Sequence, residues 1–404
     1  MTQPNFASGA PGSADSIVIG GGIVGASASL ALAGRGVRVL LCERGSLGAE
    51  QSSRALGWVR ASGRDPRDLP LSLETRRLWQ ELPCDSGYRR TGLLFACKRR
   101  AELAAHEAWL ASARAHGVDA RMLGAAAAAS LAPHLALPLA GALHAPLDGR
   151  IEPGRATRAI ATLAAERGAV IAESTCVHGI DIQAGRIAGV ITDHGRIRAS
   201  TVVVAAGAGS AALCAQLGVA LPIQIVQSFL MATTPVHGPE ISVYASGVGL
   251  RRTLDGRFVL GMQHRIVLLT LQSVRWSWKF LPAWRDNFRL TRLQLGARQR
   301  CTNPWREQVW AHARELFPSL EQTSVAEEWS GAIDVTPDSL PIISSVPRVS
   351  GLYIAAGFSG GGLGTGLGAG YLAADLLAGE RPRVSAAPYR LERFSGAARS
   401  PARG

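Results

Sequence analysis

The chain has 404 residues, 47% of them hydrophobic, enough for two or three domains with buried cores, and no run of eighteen apolar residues free of glycine and charge marks a membrane span. Its 43 basic and 30 acidic residues give a net charge of +13, yet only Lys98 and Lys279 are lysines. The arginines are scattered rather than clustered, which argues against a nucleic-acid footprint and fits GC-rich codon usage.

Residues 1–14 are small and polar, lack the basic-then-apolar order of a secretory signal, and read as a disordered tail. Next comes the run Ser16-Ile17-Val18-Ile19-Gly20-Gly21-Gly22-Ile23-Val24-Gly25, a helix predicted over 26–34, the apolar run Val37 to Leu41, and Glu43. Strand, glycine turn, helix, second strand and acid is the order that holds the pyrophosphate and ribose of a dinucleotide. Gly20 permits the tight turn, Gly22 lets the backbone approach the pyrophosphate, and Gly25 lets helix and strand pack. The helix N-terminus offers free N–H groups to the phosphates. The polar stretch 45–63 is too long for a simple turn, as functional loops often are.

Apolar spacing predicts a helix over 71–82 and a strand over 92–97, then alanine-rich helices over 102–116 and 121–131. Pro153 opens a helix over 155–168. Strands follow over 169–171, 175–177, 187–192 and 201–207, the last of the buried parallel type. Strands and turns fill 221–261, with a hairpin turn at Leu254-Asp255-Gly256-Arg257. A pair of helices is predicted over 266–295, and the pattern returns to strand, glycine loop and helix over 329–377. Six cysteines (Cys42, Cys84, Cys97, Cys176, Cys214 and Cys301) form no CxxC pair. Cys42 and Cys176 read as small core residues, and the set argues against disulfides and zinc and for a reducing, cytoplasmic setting.

Four further stretches carry a resemblance. They are Gln51 to Arg60, Val202 to Gly207, Gly331 to Asp338 with its Thr336-Pro337-Asp338, and Tyr353 to Gly366. With the glycine fingerprint they resemble, over roughly 16–382, the FAD-dependent amine and amino-acid oxidoreductases grouped around D-amino-acid oxidase, glycine oxidase, sarcosine oxidase and the small-chain type of D-amino-acid dehydrogenase. The resemblance implies an α/β fold, α+β overall. A Rossmann-like FAD-binding domain would be built from 15–90, 150–215 and 329–382. A mixed-sheet substrate domain would come from 91–149 and 216–328, and 383–404 would be a basic tail.

The resemblance also implies roles. Gly20, Gly22, Ile23, Val24, Gly25, Glu43 and Arg44 would hold the ADP half. Ser52, Ser53, Arg54 and Gly57 would line the pyrophosphate-to-flavin path, Val177 would meet the adenine by its backbone, and Ala206 and Gly207 would also contact FAD. Gly360, Gly361, Gly362, Leu363, Gly364 and Thr365 would cradle the pyrimidine end. Backbone N–H groups there would favour the negative charge of reduced flavin. FAD would be non-covalent, because covalent relatives use a cysteine or histidine in these loops, and neither Gly331 nor a neighbour is that cysteine. Many relatives carry a histidine where this chain has Gly361 and an arginine where it has Ile333. Arg60 is the first choice for a charged group beside the flavin, Arg64 the fallback for a substrate carboxylate, and His264 a candidate facing the pocket. Asp338 reads as a turn or cap residue.

The implied reaction is oxidation of a C–N bond in an amino acid or secondary amine. Hydride would pass to flavin N5, and the imine would then hydrolyse. No obligate catalytic base and no metal is expected. Electrons would go to oxygen, a quinone or a partner protein. Neither lysine lies in a matching oxygen-activating motif, which favours a dehydrogenase. Three other readings stay open: an FAD-carrying subunit of a heteromeric opine- or sarcosine-type oxidase, a flavin enzyme acting on a modified RNA base, and an NAD-dependent dehydrogenase. Peripheral contact with the inner membrane face is compatible with the charge.

Overall fold

The computed structural model describes residues 11–269, 273, 276–280, 291–295 and 303–394. The chain opens with β1 (Ser16–Ile19), α1 (Ile23–Ala33), β2 (Val39–Cys42), β3 (Trp58–Val59) and α2 (Leu69–Glu81). It continues through β4 (Leu93–Cys97), α3 (Arg100–Ala113), β5 (Arg121–Gly124), α4 (Ala125–Leu131), β6 (Gly141–Ala145), β7 (Gly149–Arg150) and α5 (Pro153–Glu166). The middle holds β8 (Val170–Ala172), β9 (Val177–Gln183), β10 (Arg186–Thr192), β11 (Gly195–Arg198), β12 (Thr201–Val204) and α6 (Ser210–Ala215). Then come β13 (Gln224–Thr233), β14 (Ser242–Ala245), β15 (Val248–Arg252), β16 (Phe258–Leu269) and β17 (Thr291–Leu295). The last elements are α7 (Arg306–Leu316), β18 (Val325–Val335), β19 (Ile342–Ser345), β20 (Leu352–Ala356) and α8 (Gly362–Ala378).

The first sheet runs β19-β20-β12-β1-β2-β8, parallel except for the edge pair β19–β20. Its inner strands are apolar at nearly every position because both faces are covered. Val18, Leu41 and Val203 point into a core shared with α1, α5 and α8. Their neighbours Ile17, Leu40, Val202 and Val204 point the other way, into a core shared with the antiparallel layer β9-β10-β11. Every residue of α1 is buried, which explains a helix with no polar face. It packs against α8 so closely that a Cβ on Gly370 would lie 2.4 Å from Ser27 Cβ.

The second sheet runs β18-β13-β16-β15-β14-β4-β6-β5, with β17 paired to β16. Val309, Ala313 and Leu316 of α7 cover one face of it. No helix among the described residues is long and apolar enough to cross a membrane.

Several expectations are corrected. Arg121–Gly124 is a strand rather than the start of a helix, because Met122 and Leu123 pair with Leu143 and Ala142 of β6. The helix pair expected over 266–295 is met only at Ser273 among the described residues: 266–269 extend β16, Ser277–Phe280 form a 3-10 turn and Thr291–Leu295 is a strand. The other residues of that stretch lie outside the described ones. Strand β9 starts at Val177 instead of ending there, and β12 stops at Val204. Residues 329–335 belong to the edge strand of the second sheet, paired along β13, and not to the first domain.

The expected terminal tails are also partly folded. Ser13 bridges Arg198 and Ala14 is buried, while residues 1–10 lie outside the described ones. Tyr389 is 1% exposed and donates to Arg67 O, and Arg393 pairs with Asp338 at 2.9 Å, so the segment after 383 packs onto the body through residue 394.

Candidate active site

A cavity of about 580 Å³ opens at the carboxyl ends of β1, β2, β12 and β20. Ligands bind at that edge of an open α/β sheet, and the volume is typical of a cofactor or small-molecule site. The cavity continues to the second sheet, where Ser228 and Leu230 of β13, Tyr244 of β14, Met262 of β16 and 331–334 of β18 form the far wall.

The sheet end has the features of a dinucleotide cradle. Gly20 has φ +110°, and a Cβ there would meet Ala205 O at 2.5 Å. Glu43 is locked in place, accepting from Gly21 N at 2.7 Å and Gly45 N at 2.8 Å. Each of its oxygens keeps a lone pair for a hydroxyl donor. Ser52 Oγ accepts from Ile23 N at 2.9 Å, the orphan donor at the start of α1. Gly22, Ile23, Val24, Arg44, Val177, Ala206, Gly207, Gly360, Gly362 and Leu363 also face the cavity. The N-termini of α1 and α8 both reach it, so the donor set suits an anionic, pyrophosphate-bearing group.

Other predicted residues stand behind this surface. A Cβ on Gly25 would lie 1.9 Å from Gly20 O, the steric reason α1 lies on β1. Ser53 Oγ donates to Glu50 O, and Gly57 makes room for Arg251, which pairs with Glu152 at 3.0 Å. Arg54 faces the cavity but also donates to Ala49 O and Ser330 O, tying its loop to β18. His264 lies on β16, and its side chain is outside the described part. Lys98 is exposed, Lys279 donates to Phe394 O, and neither lines the cavity. Cys176 is a half-buried cavity-wall residue rather than core.

The two arginines separate clearly. Arg64 does not border the cavity. Its Nε donates to Arg60 O at 3.0 Å, Nη1 pairs with Asp68 at 3.1 Å, and Nη2 donates to Gly361 O at 3.3 Å. Cβ atoms on Gly361 and Gly364 would fall 2.7 and 2.3 Å from its guanidinium. Those two glycines therefore seat Arg64, which braces the loop. The position of Arg64 does not support the substrate contact expected for it. Thr365 likewise turns its hydroxyl inward to Gly361 O.

Arg60 borders the cavity, 5.7 Å from the centroid of Phe95. Its guanidinium donates to Ser62 O, and no carboxylate among the described residues forms an ion pair with it. The nearby acids are engaged elsewhere. Asp68 pairs with Arg64, and Asp148 accepts from Ala61 N, Ser62 N and Arg76. Burial, reinforced by Arg64, pushes the Arg60 guanidinium down to about 10, which leaves it charged at neutral pH. A carboxylate ligand would reverse that displacement. Tyr244 lies near it, and Trp58, Leu230 and Met262 line the same cavity, with Trp58 and Tyr244 edge to face at 6.4 Å. Tyr244 and Leu230 carry no sequence signal, whereas Trp58 lies in the quoted loop motif.

Asp334 was also missed, although it lies two residues before Thr336-Pro337-Asp338. It is 1% exposed on the cavity wall; Oδ2 accepts from Gly357 N at 2.6 Å, and Oδ1 has no hydrogen-bond partner among the described residues. Burial pushes its carboxyl up, against the pull of Gly357 N–H and the Gln51 side chain. A raised carboxyl favours folding most at low pH, and that contribution is lost as pH rises through the raised value. Asp334→Asn keeps the acceptor for Gly357. Its Tm advantage over the parent is therefore expected to be small in acid and to widen as pH rises. A gap constant with pH, in parallel thermal melts, would show that Asp334 does not titrate in that range.

Fold and cavity together define a two-layer dinucleotide-binding oxidoreductase architecture. Residues 15–376 match the family described as FAD dependent oxidoreductase, and the chain belongs to that family, whose cofactor is FAD. Glycine oxidase of Geobacillus kaustophilus is 28% identical over 396 residues, covering 95% of this chain and 97% of that protein. L-amino acid deaminase from Proteus myxofaciens, solved in complex with anthranilate, superposes with a TM-score of 0.90 at 25% identity, covering 96% of this chain and 95% of that one. Mitochondrial sarcosine dehydrogenase of Homo sapiens is 26% identical over 400 residues, 95% of this chain, but the chain spans only 42% of that longer protein.

Proposed function

We propose that this chain binds FAD non-covalently and oxidises the C–N bond of an amino acid or secondary amine that carries a carboxylate. The observation that carries this reading is Arg60, a buried cavity-wall guanidinium that forms no ion pair with an acid among the described residues. An unpaired charge there is costly, and an anionic ligand offsets that cost. FAD, when bound, supplies a two-electron acceptor for the hydrogen on the carbon beside the nitrogen.

The chain's own contribution is placement. Arg60 holds the carboxylate through its planar fork. Trp58, Tyr244, Leu230 and Met262 exclude water from the reacting end and give it an apolar lining. The backbone N–H groups of Gly360, Gly362 and Leu363, which border the cavity, would stabilise negative charge on the cofactor. No side chain needs to act as a base if the amine binds neutral. Glycine oxidase and sarcosine dehydrogenase are named for small amino-acid substrates, and the deaminase neighbour is described with an aromatic carboxylate. All three are compatible with a carboxylate anchor beside an apolar wall.

The test is anaerobic titration of the purified yellow protein with D- and L-amino acids, N-methyl amino acids, cyclic imino acids and opines. Bleaching by one carboxylate-bearing class, and none by the matching decarboxylated amines, is expected. Re-admission of air then separates oxidase from dehydrogenase. Absence of bleaching by every class, with FAD bound, would overturn the stand-alone reading in favour of a partner-dependent subunit.

A further inference from the structure

Beside the adenosine end of the cavity, on the outer layer, three side chains of different chemistry converge. Cys176 and His178 lie two residues apart at the start of β9, and strand geometry turns alternate residues to one side. Antiparallel pairing sets Thr192 of β10 opposite Val177, which brings Asp193, in the turn after β10, next to both. Asp193 is fixed there: Oδ2 accepts from Cys176 N at 3.0 Å and Oδ1 pairs with His178 Nε2. Cys176 Sγ stands 4.0 Å from His178 Nδ1. One donor atom from each of the three side chains falls within 4.8 Å of the others.

We propose that Cys176, His178 and Asp193 form a three-ligand site for a zinc-type divalent cation, with the remaining position open to water. A thiolate, an imidazole and a carboxylate are the donor types that zinc takes, at about 2.3 Å from sulfur and about 2.0–2.2 Å from nitrogen and oxygen. Tetrahedral bonds of those lengths set the donors roughly 3.3–3.6 Å apart. His178 and Asp193 are exposed, so their side chains can exchange their contact with each other for bonds to a metal over the short remaining distance. A thiolate with an imidazole also selects against magnesium and calcium, which prefer all-oxygen sets. Binding releases the thiol proton to solvent and requires a neutral imidazole, so affinity rises with pH. The absence of a CxxC pair argues against zinc only where the donors are close in sequence. Here Cys176 and His178 are two residues apart at the start of β9, and the third donor, Asp193, comes from the turn after β10.

The test is equilibrium dialysis of tag-free, FAD-loaded protein, stripped with chelator, against micromolar zinc chloride, with metal analysis. One zinc per chain is expected. Cys176→Ser and His178→Ala are each expected to weaken binding beyond the roughly 10- to 100-fold typical of outer-shell changes. Cys84→Ser, which alters the other half-buried cysteine outside the cavity wall, is expected to keep full binding. An unchanged flavin spectrum reports that each variant is folded. Zinc should also protect the Cys176 peptide from alkylation by N-ethylmaleimide, read by mass spectrometry. No zinc above the chelated blank, or stoichiometric zinc retained by folded Cys176→Ser, would overturn the proposal.

Discussion

Arg60→Met is expected to lower kcat/KM by roughly 100- to 1,000-fold, with the flavin still bound. A bidentate guanidinium–carboxylate contact comprises two charge-assisted hydrogen bonds, and each contributes about 1.5–3 kcal/mol. The two are not additive in full, which brings the expected loss to about 3–4 kcal/mol. Methionine fills much of the volume against Phe95, so packing changes little. Arg60→Lys keeps the charge without the fork and should fall between the two. The check is steady-state kinetics on the substrate class found by titration, with FAD content measured alongside. A full kcat/KM in folded Arg60→Met would remove the carboxylate anchor from the proposed function. The loop that presents Arg60 is pinned by Asp148, which is fully buried and accepts from Ala61 N, Ser62 N and Arg76.

Gly25→Val is expected to give protein without flavin colour and with a large loss of stability. A Cβ at this position would stand 1.9 Å from Gly20 O, and Val18 Cγ1 closes the space at 3.3 Å. Helix α1 would have to leave β1, and since every residue of α1 is buried the change spreads through the core. Overpacking of a tight core commonly costs about 1–3 kcal/mol, and a backbone collision costs more. Gly22→Ala separates cofactor loss from unfolding, because its Cβ would meet only Ser52 Oγ, at 3.0 Å. That variant should fold and melt near the parent's temperature without FAD, yet retain far less FAD after gel filtration. Parent-like flavin content in both variants would contradict the cradle described above.

The parts of this molecule readable from sequence are those whose physics is local. The turn at Gly20 rests on its own φ of +110°, and the close approach at Gly25 and the acid at Glu43 depend on neighbours within one βαβ unit. Each of the three positions has a local steric or hydrogen-bonding reason in the structure. The misread segments depend on distant partners. Arg121–Gly124 precedes an alanine run of high helix propensity, and only the edge of β6, some twenty residues later, makes it a strand. The run from Ile266 is too short for periodicity to tell strand from helix, and its pairing with Gln227 to Ile225 on β13 decides the matter. Arg64 and Arg60 look alike in sequence. What separates them is which one meets a carboxylate, and Asp68 claims Arg64. Asp334 and Tyr244 reach the cavity through sheet order, and no one-dimensional pattern encodes that.

Helices α1 and α8 meet where Gly370 lies over Ser27 and Ala28, with Gly366 against Ile23 and Val24. That contact is about one turn from the start of α1 and about two turns from the start of α8. It acts as a gauge block, setting the distance between two helix ends that both border the cavity and would hold different parts of FAD. A bulkier residue at Gly370 would widen the gauge and loosen both grips together without touching either. The tolerance of the whole cofactor seat is thus set by the absence of a single methyl group, deep in the body and away from any chemistry.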